Sequence, residues 1–75
     1  MALSQDIVEL LDVVALTVDV PEKGLCRGQV GTVVESLAPG VFEVEFSDEE
    51  GRMYAQAALK QNQLLVLHYT PQKAA

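Results

Sequence analysis

Residues 41–46 read Val-Phe-Glu-Val-Glu-Phe, with Phe42, Val44 and Phe46 on one side and Glu43 and Glu45 on the other. Strict alternation of this kind predicts an antiparallel strand with one face buried and one face wet. A second alternating run covers residues 11–20. It sets Val14, Leu16, Val18 and Val20 against Val13, Ala15, Thr17 and Asp19, and its valine content fits a pleated, half-buried strand. Pro21 ends this run because it has no amide proton for a ladder. Further strands are predicted over 30–35, over 52–59 with Met53, Ala55, Ala57 and Leu59 inward, and over 64–69. Residues 21–28 form a loop with two glycines, Ala38-Pro39-Gly40 a tight turn, and residues 47–51 a polar turn. Residues 60–63 break the pattern as a short 3₁₀ turn.

The first ten residues follow another period. Ser4 is placed to cap a helix, with Gln5 and Asp6 in a first turn where negative charge suits the helix dipole. Leu3 and Val8 stand at the spacing of a hydrophobic staple, and Leu3, Ile7, Leu10 and Leu11 fall on one helical face. Seven or eight residues are too few for a helix to stand alone. The segment therefore reads as a short N-terminal helix or an ordered arm that docks on the rest.

Five short strands separated by regular turn signals give a mainly β fold, a small five-stranded barrel or roll. The order of elements is a long loop after the first strand, two tight hairpins and a helical turn before the last strand. It resembles the SH3-like arrangement. Residues 1–10 are read as the arm, 11–69 as the barrel domain, and 70–75 as a C-terminal tail expected to fray.

Length and charge narrow the function classes. With 75 residues, the chain is one domain close to the size at which a core sustains itself without disulfides or metal. An apolar fraction of 49% exceeds what so small a barrel can bury, so apolar area stays exposed or pairs with another molecule. Eleven acids against five bases give a net charge of −6. Nucleic-acid binding needs clustered Lys and Arg, whereas Lys23, Arg27, Arg52, Lys60 and Lys73 are spread one per segment. Acidity favours basic partners instead and argues against anionic membrane surfaces. A single cysteine, no basic-apolar leader and no long apolar run suggest a cytoplasmic location.

Candidate chemistry is sparse. His68 is the single histidine and Cys26 the single cysteine; a catalytic pair needs both within hydrogen-bond reach and a group to orient the base. Two such ligands fall short of a zinc set, so no metal and no cofactor is expected. Cys26, between Leu25 and Arg27, reads as a small loop or core residue, with a pKa lowered by the arginine as the reactive alternative. Glu43 and Glu45 read as a wet strand face, and Asp48-Glu49-Glu50 as a hairpin tip without the ligand spacing of a calcium loop. These five acids are the candidate contact for a basic partner. Tyr54 and Tyr69, with Arg52 nearby, make a thin stacking platform, too thin for RNA readout or for a proline-motif groove.

Gly28-Gln29-Val30-Gly31-Thr32-Val33 resembles the glycine-centred strand start of KOW and CAP-Gly domains. Over residues 10–68 a broader similarity is carried by several segments. They are Asp12-Val13-Val14-Ala15-Leu16-Thr17, Pro21-Glu22, Arg27 through Glu35, Val41 through Phe46, and Gln63-Leu64-Leu65-Val66-Leu67. Together these resemble a bacterial family catalogued as a domain of unknown function, number 4926. The resemblance implies a bacterial origin and a compact β fold, and it brings no activity or binding residues.

The chain is accordingly expected to be a non-catalytic protein-interaction module that self-associates, as a dimer. Leu3, Ile7, Val8, Leu10 and Val13 exceed the needs of a five-strand core and are the expected contact. The alternatives are an antitoxin, immunity or accessory protein that masks a basic partner, and, from another class, a KOW-like nucleic-acid binder.

Overall fold

The computed structural model describes residues 7–71. Five strands, β1 (Val13–Leu16), β2 (Val30–Ala38), β3 (Val41–Ser47), β4 (Met53–Lys60) and β5 (Leu64–Val66), form one antiparallel sheet in the order β4-β3-β2-β1-β5. Two 3₁₀ turns, Pro21–Lys23 and Gln61–Gln63, lie in the β1–β2 loop and between β4 and β5. The predicted mainly β class and five strands are what the structure contains.

One row of side chains from every strand turns inward. Val14 and Leu16, Val33, Phe42, Val44 and Phe46, Ala57 and Leu59, and Leu64 meet Val8, Val20 and Leu25 in a single cluster. The outermost strands, β4 and β5, both contribute, so the sheet rolls around its core. Strict alternation on β3 is realised in full: Phe42, Val44 and Phe46 are buried while Glu43 and Glu45 face out. Across the roll, the Gln29 side-chain amide donates to the Tyr54 hydroxyl at 3.2 Å, and the Tyr54 ring leans on Phe46 with centroids 6.4 Å apart.

Gly31 sets how closely β2 approaches β3. A Cβ at this position would sit 2.7 Å from Val44 Cγ1, 2.8 Å from the Glu45 carbonyl oxygen and 2.9 Å from Phe46 Cδ2. Gly28 enters the strand with φ +93°, a value that side chains rarely adopt. Both glycines thus have the backbone purpose that their spacing suggests.

Several expectations are corrected. Residues 7–11 are not helical. The Asp12 N–H bonds the Glu9 carbonyl at 3.1 Å and the Asp12 carboxylate accepts the Glu9 N–H at 2.9 Å, which closes a turn instead. Leu11, the third residue of that turn, has φ +70°. It and Asp12 together oppose Val33 in a bulge, with Leu11 N–H to Val33 O at 2.8 Å and Val33 N–H to Asp12 O at 2.9 Å. The expected apolar helix face therefore does not form: Val8 is buried, and Ile7, Leu10 and Leu11 are exposed. Ser4 and Leu3, the predicted cap and staple, lie outside the described residues.

β1 ends at Leu16, four residues earlier than the alternation suggests. Thr17 turns away to the second 3₁₀ turn, its N–H bonding Gln63 O and its hydroxyl Asn62 O. Val18 is exposed in consequence, while Val20 regains the core through a bridge to Leu25. On β4, Met53 is exposed rather than inward because the register shifts between Phe46 and Ser47. β5 stops at Val66, and His68 and Tyr69 lie past it.

Replacing Gly31 by Ala forces backbone and two core side chains apart, an overpacking that costs about 2–3 kcal/mol. Phe46→Ala empties the fully buried centre and costs about 3–5 kcal/mol. Urea unfolding monitored by circular dichroism measures both losses.

Candidate functional site

Cys26 and His68 are held at opposite ends of β1. Cys26 belongs to the loop that returns through Gly28, whose N–H bonds Leu16 O at 2.8 Å. His68 follows Leu67, whose N–H bonds Val13 O at 2.9 Å. The fold does not bring the two together as a nucleophile–base pair. Among the described residues no group of three or more His, Cys, Asp or Glu side chains is arranged to hold a metal ion. Cys26 is an exposed loop thiol, and the loop around it is fixed by other groups: Gln29 accepts its N–H, and Asp19 accepts the Arg27 N–H at 2.8 Å.

The five acids divide into two places. Glu43 and Glu45 stand half-buried on the outer face of β3, where Glu35 of β2 lies directly opposite Glu43. Like charges directly across a ladder repel, so Glu35, Glu43 and Glu45 make a negative row on this face, with Lys60 of β4 opposite the neighbouring Val41. Asp48, Glu49 and Glu50 form the β3–β4 turn. Asp48 builds it, accepting the N–H groups of Glu50 at 2.9 Å and of Arg52 at 3.0 Å, while the Arg52 side chain reaches both Asp48 and Glu50. The Arg52 backbone N–H holds the Asp48 carboxyl below its ordinary 3.8, with the Glu50 N–H and the Arg52 side chain adding to this and desolvation opposing it. Glu49 is exposed at the tip.

The residues expected for self-contact also divide. Val8 belongs to the core and is withdrawn from any surface. Leu3 lies outside the described residues. Ile7 and Leu10 are exposed at the turn before β1, and Val13 lies on the outer face of the sheet.

That outer face is the feature sequence reasoning missed. Val30, Ala15 and Leu65 stand side by side across β2, β1 and β5, and Thr32 and Val13 form the next row, with Leu67 continuing it. Val30 is 45% and Leu65 56% exposed. No charged residue stands in either row on β2, β1 or β5; on β3 the second row meets Glu45 opposite Thr32. At the Leu16 end the face opens into a cleft of about 370 Å³ lined by Ala15, Leu16, Thr17, Arg27, Gly28 and Leu65. Alternation alone assigns Val13 and Ala15 to the outer side of β1, but only the register of three strands makes them part of a surface.

Residues 10–66 match the family model described as Domain of unknown function (DUF4926). The chain belongs to that family. No curated protein and no solved structure matches it significantly. Membership agrees with the resemblance read from the residues and with a compact β domain, and it carries no assigned site. No helix among the described residues is long and apolar enough to cross a membrane.

Because the folded Asp48 value lies below 3.8, its bonds stabilise the turn above that pH, and the contribution is lost as pH falls through the folded value. An NMR titration should therefore show the Glu50 and Arg52 amides moving together with a midpoint below 3.8, and Asp48→Asn should abolish that transition. Iodoacetamide should modify Cys26 in the folded protein without unfolding it, as befits an exposed loop thiol.

Proposed function

We propose that this domain is a non-catalytic protein-interaction module with an SH3-like element order, and that it self-associates. The observation that carries this reading is the uncharged apolar outer face of β2, β1 and β5 on a chain of net charge −6. Two such chains repel wherever their acidic rows meet, and these rows lie on β2–β3 and at the β3–β4 turn. Val13, Ala15, Val30 and Leu65 offer contact without that penalty. Burying them recovers hydrophobic free energy of about 25 cal/mol per Å² removed from water.

The SH3-like assignment rests on the long β1–β2 loop, the meander of β2, β3 and β4, and the 3₁₀ turn that delivers β5 beside β1. An unpaired surface thiol fits a reducing cytoplasm. A second reading is favoured by one observation, the opposed Glu35 and Glu43 with Glu45 beside them. In that reading the β3 face contacts a basic protein, as an accessory or immunity partner would.

Multi-angle light scattering tests the leading reading. The expected mass is twice that of the chain at high micromolar concentration, falling toward the monomer on dilution. A monomer throughout that range overturns self-association.

A further inference from the structure

Two features of this domain are complementary to each other. At one end of β1, Leu11 is held at φ +70° with its side chain 75% exposed. A bulky residue in the left-handed region costs about 1–2 kcal/mol, and in the monomer its exposed side chain returns nothing through packing. At the other end of β1 lies the cleft formed by Ala15, Leu16, Thr17, Arg27, Gly28 and Leu65. Ala15, Leu16 and Leu65 supply its apolar lining and Thr17 and Arg27 its polar side, around a volume of about 370 Å³. Between knob and cleft run the two uncharged rows of the outer face.

The charges at the two ends differ: the Leu11 end is acidic, while the cleft end carries Arg27 with the Asp19 carboxylate on its backbone N–H at 2.8 Å. The turn beside Leu11 carries Glu9 and Asp12, joined by the Glu9 N–H to the Asp12 carboxylate. The rim of the cleft carries Arg27, whose guanidinium makes no ion pair with a described residue; both pairs present belong to Arg52.

We propose that the outer face of β2–β1–β5 seats a second copy of this chain about a two-fold axis near the middle of β1, with Leu11 of each copy entering the cleft of the other. This rests on the self-association reading above and specifies its interface. A two-fold contact is self-complementary, so any feature at one end must match the other end of the same face. An antiparallel stacking of the two β1 strands meets that condition twice: Leu11 covers Ala15 and Leu65 of the partner, and Arg27 meets the partner's acidic turn. The parallel arrangement places Arg27 against Arg27 and the acidic turns against each other. Sheets stacked face to face lie about 10 Å apart, which Val30 and Leu65 fill from both sides. The acidic rows on β3 remain outward on both copies.

Light scattering and sedimentation equilibrium on the full chain test the interface with three variants. Leu11→Asn keeps a residue that tolerates positive φ while removing the apolar knob. It should preserve the circular dichroism spectrum and weaken dimerisation at least tenfold. Arg27→Glu should weaken it as well, and adding Glu9→Arg to Arg27→Glu should restore it toward the wild-type value, a rescue that no loss of folding produces. If the wild type is dimeric while Leu11→Asn and Arg27→Glu dimerise as tightly, the dimer uses another surface. The interface is then wrong although self-association stands. If the reversed pair does not recover what Arg27→Glu loses, the antiparallel arrangement is wrong. A monomeric wild type removes both.

Discussion

Gly31 lies opposite Val14 on β1 and against the Val44–Phe46 stretch of β3. The absence of a side chain there lets the β2 backbone approach within a distance that no Cβ tolerates. Because of that approach, Phe46 fills the centre of the roll, and Val14, Val33 and Val44 close around it with almost no exposure. A core of this size has little redundancy: among the described residues twelve buried apolar side chains supply it, from every strand and from the loops on either side of β1. The rest of the domain is arranged around this contact. The β1–β2 loop folds back through Gly28, and Tyr54 reaches across to Gln29 where β2 begins.

Rolling a sheet around one core leaves a single outer face, and here that face is divided. Its β2–β3–β4 part carries Glu35, Glu43 and Glu45, and its β2–β1–β5 part carries Val13, Ala15, Val30 and Leu65. The division follows from which side chains share a register row. It sorts the surface into a region that repels another copy and a region that does not, which is a physical basis for choosing one partner contact over another. The bulge at Leu11 and Asp12 belongs to the same account, since it lifts an apolar side chain out of the core at the end of the uncharged region. Natural chains retain strain of this kind only where the surroundings over-determine it.

Local pattern was enough on β3, where one face is buried and the other wet. The alternation at residues 41–46, the end of a strand before Pro21, the turn at Pro39-Gly40 and the 3₁₀ break before Leu64 are all present in the structure. Each depends on neighbours within a few residues, through the pleat, the missing proline amide or the conformational freedom of glycine. The same reasoning failed at Leu11, at Val18 and at Met53, which a register shift turns outward. Over the described residues, the helical spacing of Ile7, Leu10 and Leu11 was outweighed by pairing of Leu11 and Asp12 with Val33, a partner more than twenty residues away. Val18 left the inner row because Thr17 is drawn off by Asn62 and Gln63.

The amino-acid sequence by itself determined a mainly β domain of one core, the faces of β3, and the acidity and family of the domain. Those properties are set by side-chain chemistry and period, which are local. Tertiary structure decided which outward residues stand together: that Glu35 opposes Glu43, that Val30, Ala15 and Leu65 form a row, that Cys26 and His68 are kept apart, and that a cleft beside Arg27 balances an exposed Leu11. Those are consequences of strand order and register, fixed by contacts between segments far apart in the chain, and no window of residues contains them.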